Sequence, residues 1–404
     1  MVEILTTFII ISAIIFFGFL AEFLFRKFHV PDVLLLIIFG FILGPYALKY
    51  VHPSYFLDIA PVFTAFALLF LLFDGAFNID ILSFFRGLGK GMLLTIFNFF
   101  VSSLAAAIIA MLFGFDFPHA LLLGFILGGT SSAFVIPVIQ NLRIKKETYS
   151  ILTLESAVTD VLCVVFAITT IQIITLKNFS FNLVASKIVA LFVIAGFFGI
   201  VAGLVWILLI SKVFKKNKSY MLTIAYLLLL FSVTEYLNGN GAIATLFFGL
   251  VLRNSRKLTS LIDGDAAITV TTPTEKLFYS QISFFLKTFF FVYIGVLLDF
   301  SNAKALAIGA LISVAVMLLR GRSSFIVKDF EPYDQRMINS IFARGLAAAV
   351  LAQLAIQNNL QNAEFIAKIT FAVIMFTIVL SSAKIYYENR SGIPLFKGKP
   401  QQKN

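Results

Sequence analysis

The 404-residue chain has a single cysteine, Cys163, and three histidines, His29, His52 and His119. One thiol excludes an internal disulfide framework and any cysteine-rich metal centre. All three histidines fall in segments expected to be loops, so no imidazole is expected within an apolar segment to act as a base or metal ligand. Charge is scarce as well: Asp, Glu, Lys and Arg make up 13% of the chain, against about 25% in soluble domains. What remains is hydrocarbon, with 60% hydrophobic residues and 49 phenylalanines that read as lipid-facing bulk. A soluble domain is excluded, and an all-α membrane protein is expected.

The apolar residues gather in about thirteen runs, near 4–25, 33–50, 59–77, 91–113, 119–140, 148–175, 184–211, 220–237, 240–252, 279–299, 304–327, 337–357 and 365–387. Each approaches the roughly 20 residues that cross hydrocarbon. The first run follows Glu3, has no basic segment before it and is too long for a signal-peptide core, so it reads as a retained helix. Lys and Arg accumulate on cytoplasmic loops. Here they crowd the odd-numbered loops and the tail, as in Arg143, Lys145 and Lys146 or Lys212, Lys215, Lys216 and Lys218. The even loops hold only Lys49, Lys177, Lys187, Lys304 and Lys368. The N-terminus is therefore expected outside a plasma membrane, and residues 391–404 form a cytoplasmic tail. This asymmetry accounts for the net charge of +11, and no nucleic-acid site is read from it.

Two acids break the hydrocarbon of the sixth run, in Thr153-Leu154-Glu155-Ser156-Ala157-Val158-Thr159-Asp160. An acid at mid-bilayer costs roughly 2.5–3.5 kcal/mol, so one that persists there is a functional-site hypothesis by default. On a helix Ser156 and Asp160 are four apart, as are Glu155 and Thr159, which lays two polar rows along one flank. Arg320, Arg322 and Arg344 are the candidate partners, because arginine in hydrocarbon pairs with carboxylate. If one of them neutralises Glu155, Asp160 is left to hold a proton or a small cation, but not both.

The fifth run reads Gly128-Gly129-Thr130-Ser131-Ser132-Ala133 and then Pro137, which cannot donate a hydrogen bond and frees the carbonyl of Ala133. Such a stretch can unwind a helix where it lines a cavity or is buried in protein, offering carbonyls, Thr130 and Ser131 to a cation. The plain alternative is that its small residues only let helices pack closely. Similar helix ends recur seven runs apart. Phe39-Gly40-Phe41-Ile42-Leu43-Gly44 resembles Phe248-Gly249-Leu250-Val251-Leu252, and Leu72-Phe73-Asp74-Gly75 resembles Val292-Tyr293-Ile294-Gly295. An odd shift reverses direction, the mark of inverted-topology repeats that hold substrate near the midplane.

Other polar residues have bland readings. Asp74 caps a helix near the inner interface or gates an entrance, Glu235 ends an outer helix in water, and Cys163 packs. Asp263-Gly264-Asp265 lacks the further ligands of a calcium loop and reads as a turn. An intramembrane hydrolase needs a nucleophile with a base or a catalytic acid pair, and neither a His-Glu-x-x-His motif nor a membrane histidine is expected.

Glu155-Ser156-Ala157-Val158-Thr159-Asp160 resembles the Glu-Ser-x-x-Asn-Asp signature of sodium/proton exchangers of the monovalent cation/proton antiporter superfamily. Asp74-Gly75 resembles the Phe-Glu-Gly segment of its NhaP-like members. Phe290-Phe291-Val292-Tyr293-Ile294-Gly295 is similar to their tenth helix, and Pro332-Tyr333-Asp334-Gln335 with Arg344-Gly345 to the approach to their twelfth. The resemblance, which runs over about residues 30–355, implies an NhaA/NapA-like fold of 13 transmembrane helices with inverted repeats and discontinuous crossing helices. It implies a homodimer in the lipid bilayer, no cofactor, and elevator-like exchange of Na+, or of Li+ or K+, for H+. A K+/H+ antiporter, or a channel or sensor on the same scaffold, is the alternative. The expected core is mainly 59–175 and 279–387, and the dimerisation domain mainly 4–50 and 184–252. By resemblance Asp160 carries Na+ or the proton, Glu155, Ser156 and Thr130 stand near the cation, and Glu155 is the pairing glutamate. Thr159 stands where relatives have Asn or a second Asp, which points to electroneutral exchange. Lys287 is the analogue of a lysine that pairs with that second Asp, or a lysine reaching to the cytoplasmic surface.

Overall fold

The computed structural model describes residues 2–28, 31–51, 60–77, 89–175, 181–212, 220–256 and 273–392. His29, His52 and the Asp263-Gly264-Asp265 turn lie outside the described residues. The chain is all-helical there, in the order α1 (Val2–Phe28), α2 (Asp32–Leu43), α3 (Ala60–Phe77), α4 (Gly89–Leu112), α5 (Phe117–Ile126), α6 (Ser132–Gln140), α7 (Lys146–Thr175) and α8 (Phe181–Lys212). There follow α9 (Tyr220–Tyr236), α10 (Gly241–Arg253), α11 (Pro273–Leu297), α12 (Ala303–Arg322), a 3-10 turn (Ser323–Phe325), α13 (Pro332–Ser340), α14 (Leu346–Gln357) and α15 (Ala363–Gly392). Among the described residues seven helices are long and apolar enough to cross a membrane: α1, α4, α7, α8, α11, α12 and α15. The protein is a multi-pass membrane protein.

Two apolar runs are not single helices. Residues 119–140 divide into α5 and α6 around Leu127–Ser131, where the glycine pair lies. Residues 337–357 also divide, into α13 and α14, with Ile341–Gly345 extended between them. Nothing in the apolar pattern of that second run announces the break. The second run corrects in a smaller way: α2 ends at Leu43, and Gly44 to Val51 form turns. His119 lies in the first turn of α5 and is buried, with Nδ1 2.7 Å from Asp116 Oδ1, so the expectation that it sits in a loop is also corrected.

The helices pack in two sets. In one, α10 lies along both α3 and α8, and α11 lies along α2. The α2–α11 contact is backbone to backbone: a Cβ on Gly40 would stand 2.0 Å from the Val292 carbonyl oxygen, and one on Gly295 2.1 Å from that of Ile37. Gly249 of α10 meets α3 closely as well, since a Cβ there would stand 2.9 Å from the Phe73 carbonyl oxygen. In the other set α4 packs on α5 and α12, α5 on α7, and α15 on α12 and α14. At the end of α11, Asp299 ties the sets together. It accepts from Tyr46 Oη at 2.8 Å, from Ser301 N at 3.0 Å and from Lys368 Nζ of α15 at 2.9 Å. Donation from the Ser301 hydroxyl and then from Lys368 holds its carboxyl well below the usual carboxylate range.

Candidate ion site at the crossing of two broken helices

The two breaks touch. Ser131 N donates to the Ala343 carbonyl at 2.8 Å, so the gap of one helix supplies a backbone partner for the gap of the other. The α13–α14 gap is otherwise held by α15: Arg344 N donates to Thr377 Oγ1 at 3.0 Å, Phe342 N to Ser381 Oγ at 3.5 Å, and Ser381 Oγ donates to the Ser340 carbonyl at 2.6 Å. Unwound backbone inside a bilayer must find such partners, because no water is there to replace them. Gly345 permits the approach, since a Cβ there would fall 2.0 Å from Ser131 Oγ.

Helix α7 passes this crossing and brings Glu155, Ser156, Thr159 and Asp160 to it, all buried. The start of α7 is pinned from α13. Asp334, also buried, accepts from Thr148 Oγ1 at 2.5 Å and from Lys145 N at 3.3 Å. The two acids of α7 then meet different surroundings. Glu155 lies in a two-pronged ion pair with Arg320 of α12, through Arg320 Nη1 to Oε1 and Nη2 to Oε2 at 2.8 Å. Asn98 Nδ2 of α4 donates to the same Oε1 at 3.0 Å, and Arg320 Nε donates to the Ile338 carbonyl at 2.9 Å. Every polar edge of that pair is met by α4, α7, α12 or α13. Arg322 is exposed, and Arg344 makes no ion pair with Glu155. Of the three arginines considered from sequence, only Arg320 stands against the glutamate. Arg344 is 2% exposed, and its Nη1 donates to the Phe342 carbonyl at 3.3 Å.

Asp160 has no such partner: among the described residues no Lys or Arg is ion-paired with it. Its Oδ2 accepts from Ser132 Oγ, at the start of α6, at 2.6 Å. Beside it Thr159 Oγ1 accepts from Thr130 N at 3.1 Å and lies 3.4 Å from Thr130 Oγ1. Ser156 Oγ donates to the Thr153 carbonyl at 3.0 Å. Ser131 is in the gap, with its hydroxyl against Gly345 rather than Asp160. The hydroxyl on Asp160 is therefore that of Ser132, which the sequence pattern did not single out. Asn98 was legible only as a polar residue in an apolar run, and Asp334 only as part of a resemblance.

Asp160 and Ser132 form part of the lining of a cleft of about 520 Å³ between α1, α3, α6, α7 and α11. Its other polar residues include Glu22, Asp74, Ser283 and Lys287. Asp74 accepts from Ser283 Oγ at 3.0 Å, so it lies on the cleft wall and not at a bare helix end. Lys287 is bound to Asp32 at the start of α2, with Nζ 2.5 Å from Oδ2. Among the described residues no group of three or more His, Cys, Asp and Glu is placed to hold a metal ion. A buried carboxylate with a serine hydroxyl on it, lining a cleft, can bind a proton or a weakly held monovalent cation in turn.

Residues 11–385 match the family described as sodium/hydrogen exchanger, transmembrane. The chain belongs to the sodium/hydrogen exchanger family. Within it, similar curated proteins include a K(+)/H(+) antiporter NhaP2 of Shewanella oneidensis, 24% identical over 79% of this chain and 55% of the relative. Another is a K(+)/H(+) antiporter NhaP of Alkalimonas amylolytica, 24% identical over 94% of this chain and 65% of that protein. This exchanger-family chain thus spans about half to two-thirds of the length of those relatives. Its fold is that of the sodium proton antiporter MjNhaP1 from Methanocaldococcus jannaschii, with a TM-score of 0.76 at 20% identity over 94% of this chain and all of that one.

Proposed function

We propose that this chain exchanges a monovalent cation for a proton by competition at Asp160. The observation that carries the reading is the contrast on α7: Glu155 is neutralised by Arg320, whereas Asp160 faces the cleft with the Ser132 hydroxyl on its carboxylate. A cation entering the cleft displaces the proton from Asp160, and the proton returning displaces the cation. Thr159, Thr130 and Ser156 supply oxygen next to it, with Na+ as first choice and Li+ as a congener. K+ is the second reading, favoured because the similar curated relatives carry K(+)/H(+) antiporter names. With Thr159 in place of a second acid, one cation moves for each proton.

The remaining architecture follows the same reading. Thirteen crossings, counting α5–α6 and α13–α14 as one each, form two inverted repeats whose broken members cross at the site. The core comprises α4–α7 and α12–α15. The scaffold, which also forms the homodimer, comprises α1–α3 and α8–α11. That boundary moves α3 and α11 out of the core, since they pack most extensively on α10 and α2. The cleft is lined by the C-terminal halves of α1 and α3 and the N-terminal half of α11, the end where the basic loops gather, so it faces the cytoplasm when the N-terminus is outside. The core carries Asp160 across a plasma membrane in an elevator-like movement.

Purified protein in liposomes containing a pH-sensitive dye tests this. Added Na+, Li+ or K+ should move protons with saturable dependence, and apparent affinity for the cation should fall as pH falls, because both ligands seek one carboxylate. An imposed membrane potential should leave the rate unchanged. Conductive cation flux without proton movement would sink the antiport reading.

A further inference from the structure

The cleft wall carries one lysine among its acids. Lys287 projects from α11 into the cavity that Glu22, Asp74 and Asp160 also line. A bare ammonium there would repel the cations the cleft admits, because a low-dielectric wall strengthens charge–charge interaction over that in water. The ammonium is not bare. Its Nζ lies 2.5 Å from Asp32 Oδ2, with the lysine side chain 14% and the aspartate side chain 6% exposed. Asp32 is fixed in turn: its Oδ1 accepts from Val33 N at 2.9 Å. The Phe284 ring, 5.7 Å from Nζ, supplies a second electron-rich neighbour.

The platform under the pair is stiff. The Gly40 and Gly295 contacts bring α2 and α11 together backbone to backbone, about two turns beyond the two charges. Lys287 is thus held toward Asp32 by a helix pair and cannot be drawn onto Asp160 without parting from a buried carboxylate. The resulting arrangement is a neutral Asp32–Lys287 unit on one wall and acids on the others.

We propose that Asp32 sets the cation affinity of the cleft by neutralising Lys287, as an affinity-determining residue that touches neither the cation nor Asp160. This rests on the antiport reading of the cleft. Asp32→Asn leaves the ammonium uncompensated, and the apparent KM for the cation rises about tenfold, with kcat within about twofold. Removing both charges, in Asp32→Asn with Lys287→Met, returns KM to within about twofold of the wild-type value. Tenfold in KM corresponds to about 1.4 kcal/mol.

The test is cation-dependent proton flux in liposomes, with Na+ and K+ titrated separately at constant ionic strength held with choline chloride. Thermal melting of each purified variant verifies folding. A KM rise in Asp32→Asn that the double variant reverses supports the proposal. Wild-type KM in a folded Asp32→Asn variant, or a double variant as impaired as the single one, overturns it. Should Asp32→Asn not fold, Lys287→Met decides: it keeps the acid and removes the repelling charge, so its KM stays at or below wild type. A raised KM or lost turnover in that variant overturns the proposal. If the wild-type protein moves no protons in response to either cation, the antiport reading falls and this inference with it. If wild type exchanges and only the Asp32 prediction misses, the antiport reading stands.

Discussion

Glu155 and Asp160 are five residues apart on the same helix, both buried, and chemically almost the same; their neighbours make them different. Glu155 receives a guanidinium from α12 and an amide from α4 and has its charge cancelled in place. Asp160 receives one hydroxyl and opens on the cleft. Two buried acids on one helix thus differ in whether arginine reaches them, and the proposed exchange at Asp160 rests on that difference. Removing one partner of a buried ion pair typically costs about 3–5 kcal/mol, because the other charge is left stranded. Changing an acid with no ionic partner strands nothing.

The sharpest way to break the comparison is to neutralise each acid in turn. Asp160→Asn should abolish cation-driven proton flux, a loss of at least about a hundredfold, while its melting temperature stays at or above wild type, because the side chain has no cation to abandon. Retained flux in that variant would end the assignment of Asp160. Glu155→Gln should show the reverse emphasis, with about 3–5 kcal/mol of stability lost and folded yield down, measured by melting in detergent and size-exclusion recovery. Removing both charges, in Glu155→Gln with Arg320→Met, should recover part of that loss; a double variant worse than the single would mean that the pair is not the source.

Smaller changes sharpen the contrast. Asn98→Ala removes the amide from Glu155 and should lower stability by about 1 kcal/mol, with the flux per folded molecule unchanged. An equal melting temperature would show that Arg320 alone satisfies the glutamate. Ser132→Ala removes the hydroxyl from Asp160 and should do the opposite, shifting the apparent cation KM about threefold while stability moves by under about 1 kcal/mol. A stability loss without a change in KM would place Ser132 with the structural residues.

Much of this was legible in the residues themselves. The two acids of α7 stand out because hydrocarbon surrounds them, and the Gly128-Gly129 pair with Pro137 marks a helix that comes apart. The gap at Ile341–Gly345 was not legible. No proline or glycine pair precedes it, and it is held open by Thr377 and Ser381 from α15 and by Ser131 across the crossing. Nor could spacing choose among the arginines. Arg320 and Arg322 are two residues apart, which places them on different faces of α12, and only the packing of that helix decides that Arg320 is buried against Glu155 and Arg322 exposed. The Asp32–Lys287 pair joins residues 255 positions apart, beyond the reach of any local pattern.

By itself the sequence determined that this chain lives in a membrane, where its apolar runs lie, and that a few charges would have to be accommodated in hydrocarbon. Those facts depend on composition and on the fixed thickness of a bilayer, so they can be read from a one-dimensional string. Tertiary structure alone decided which charges cancel and which acid is left facing the cleft. Cancellation depends on the rotation of each helix about its axis and on contacts a few ångströms long between segments far apart in the chain.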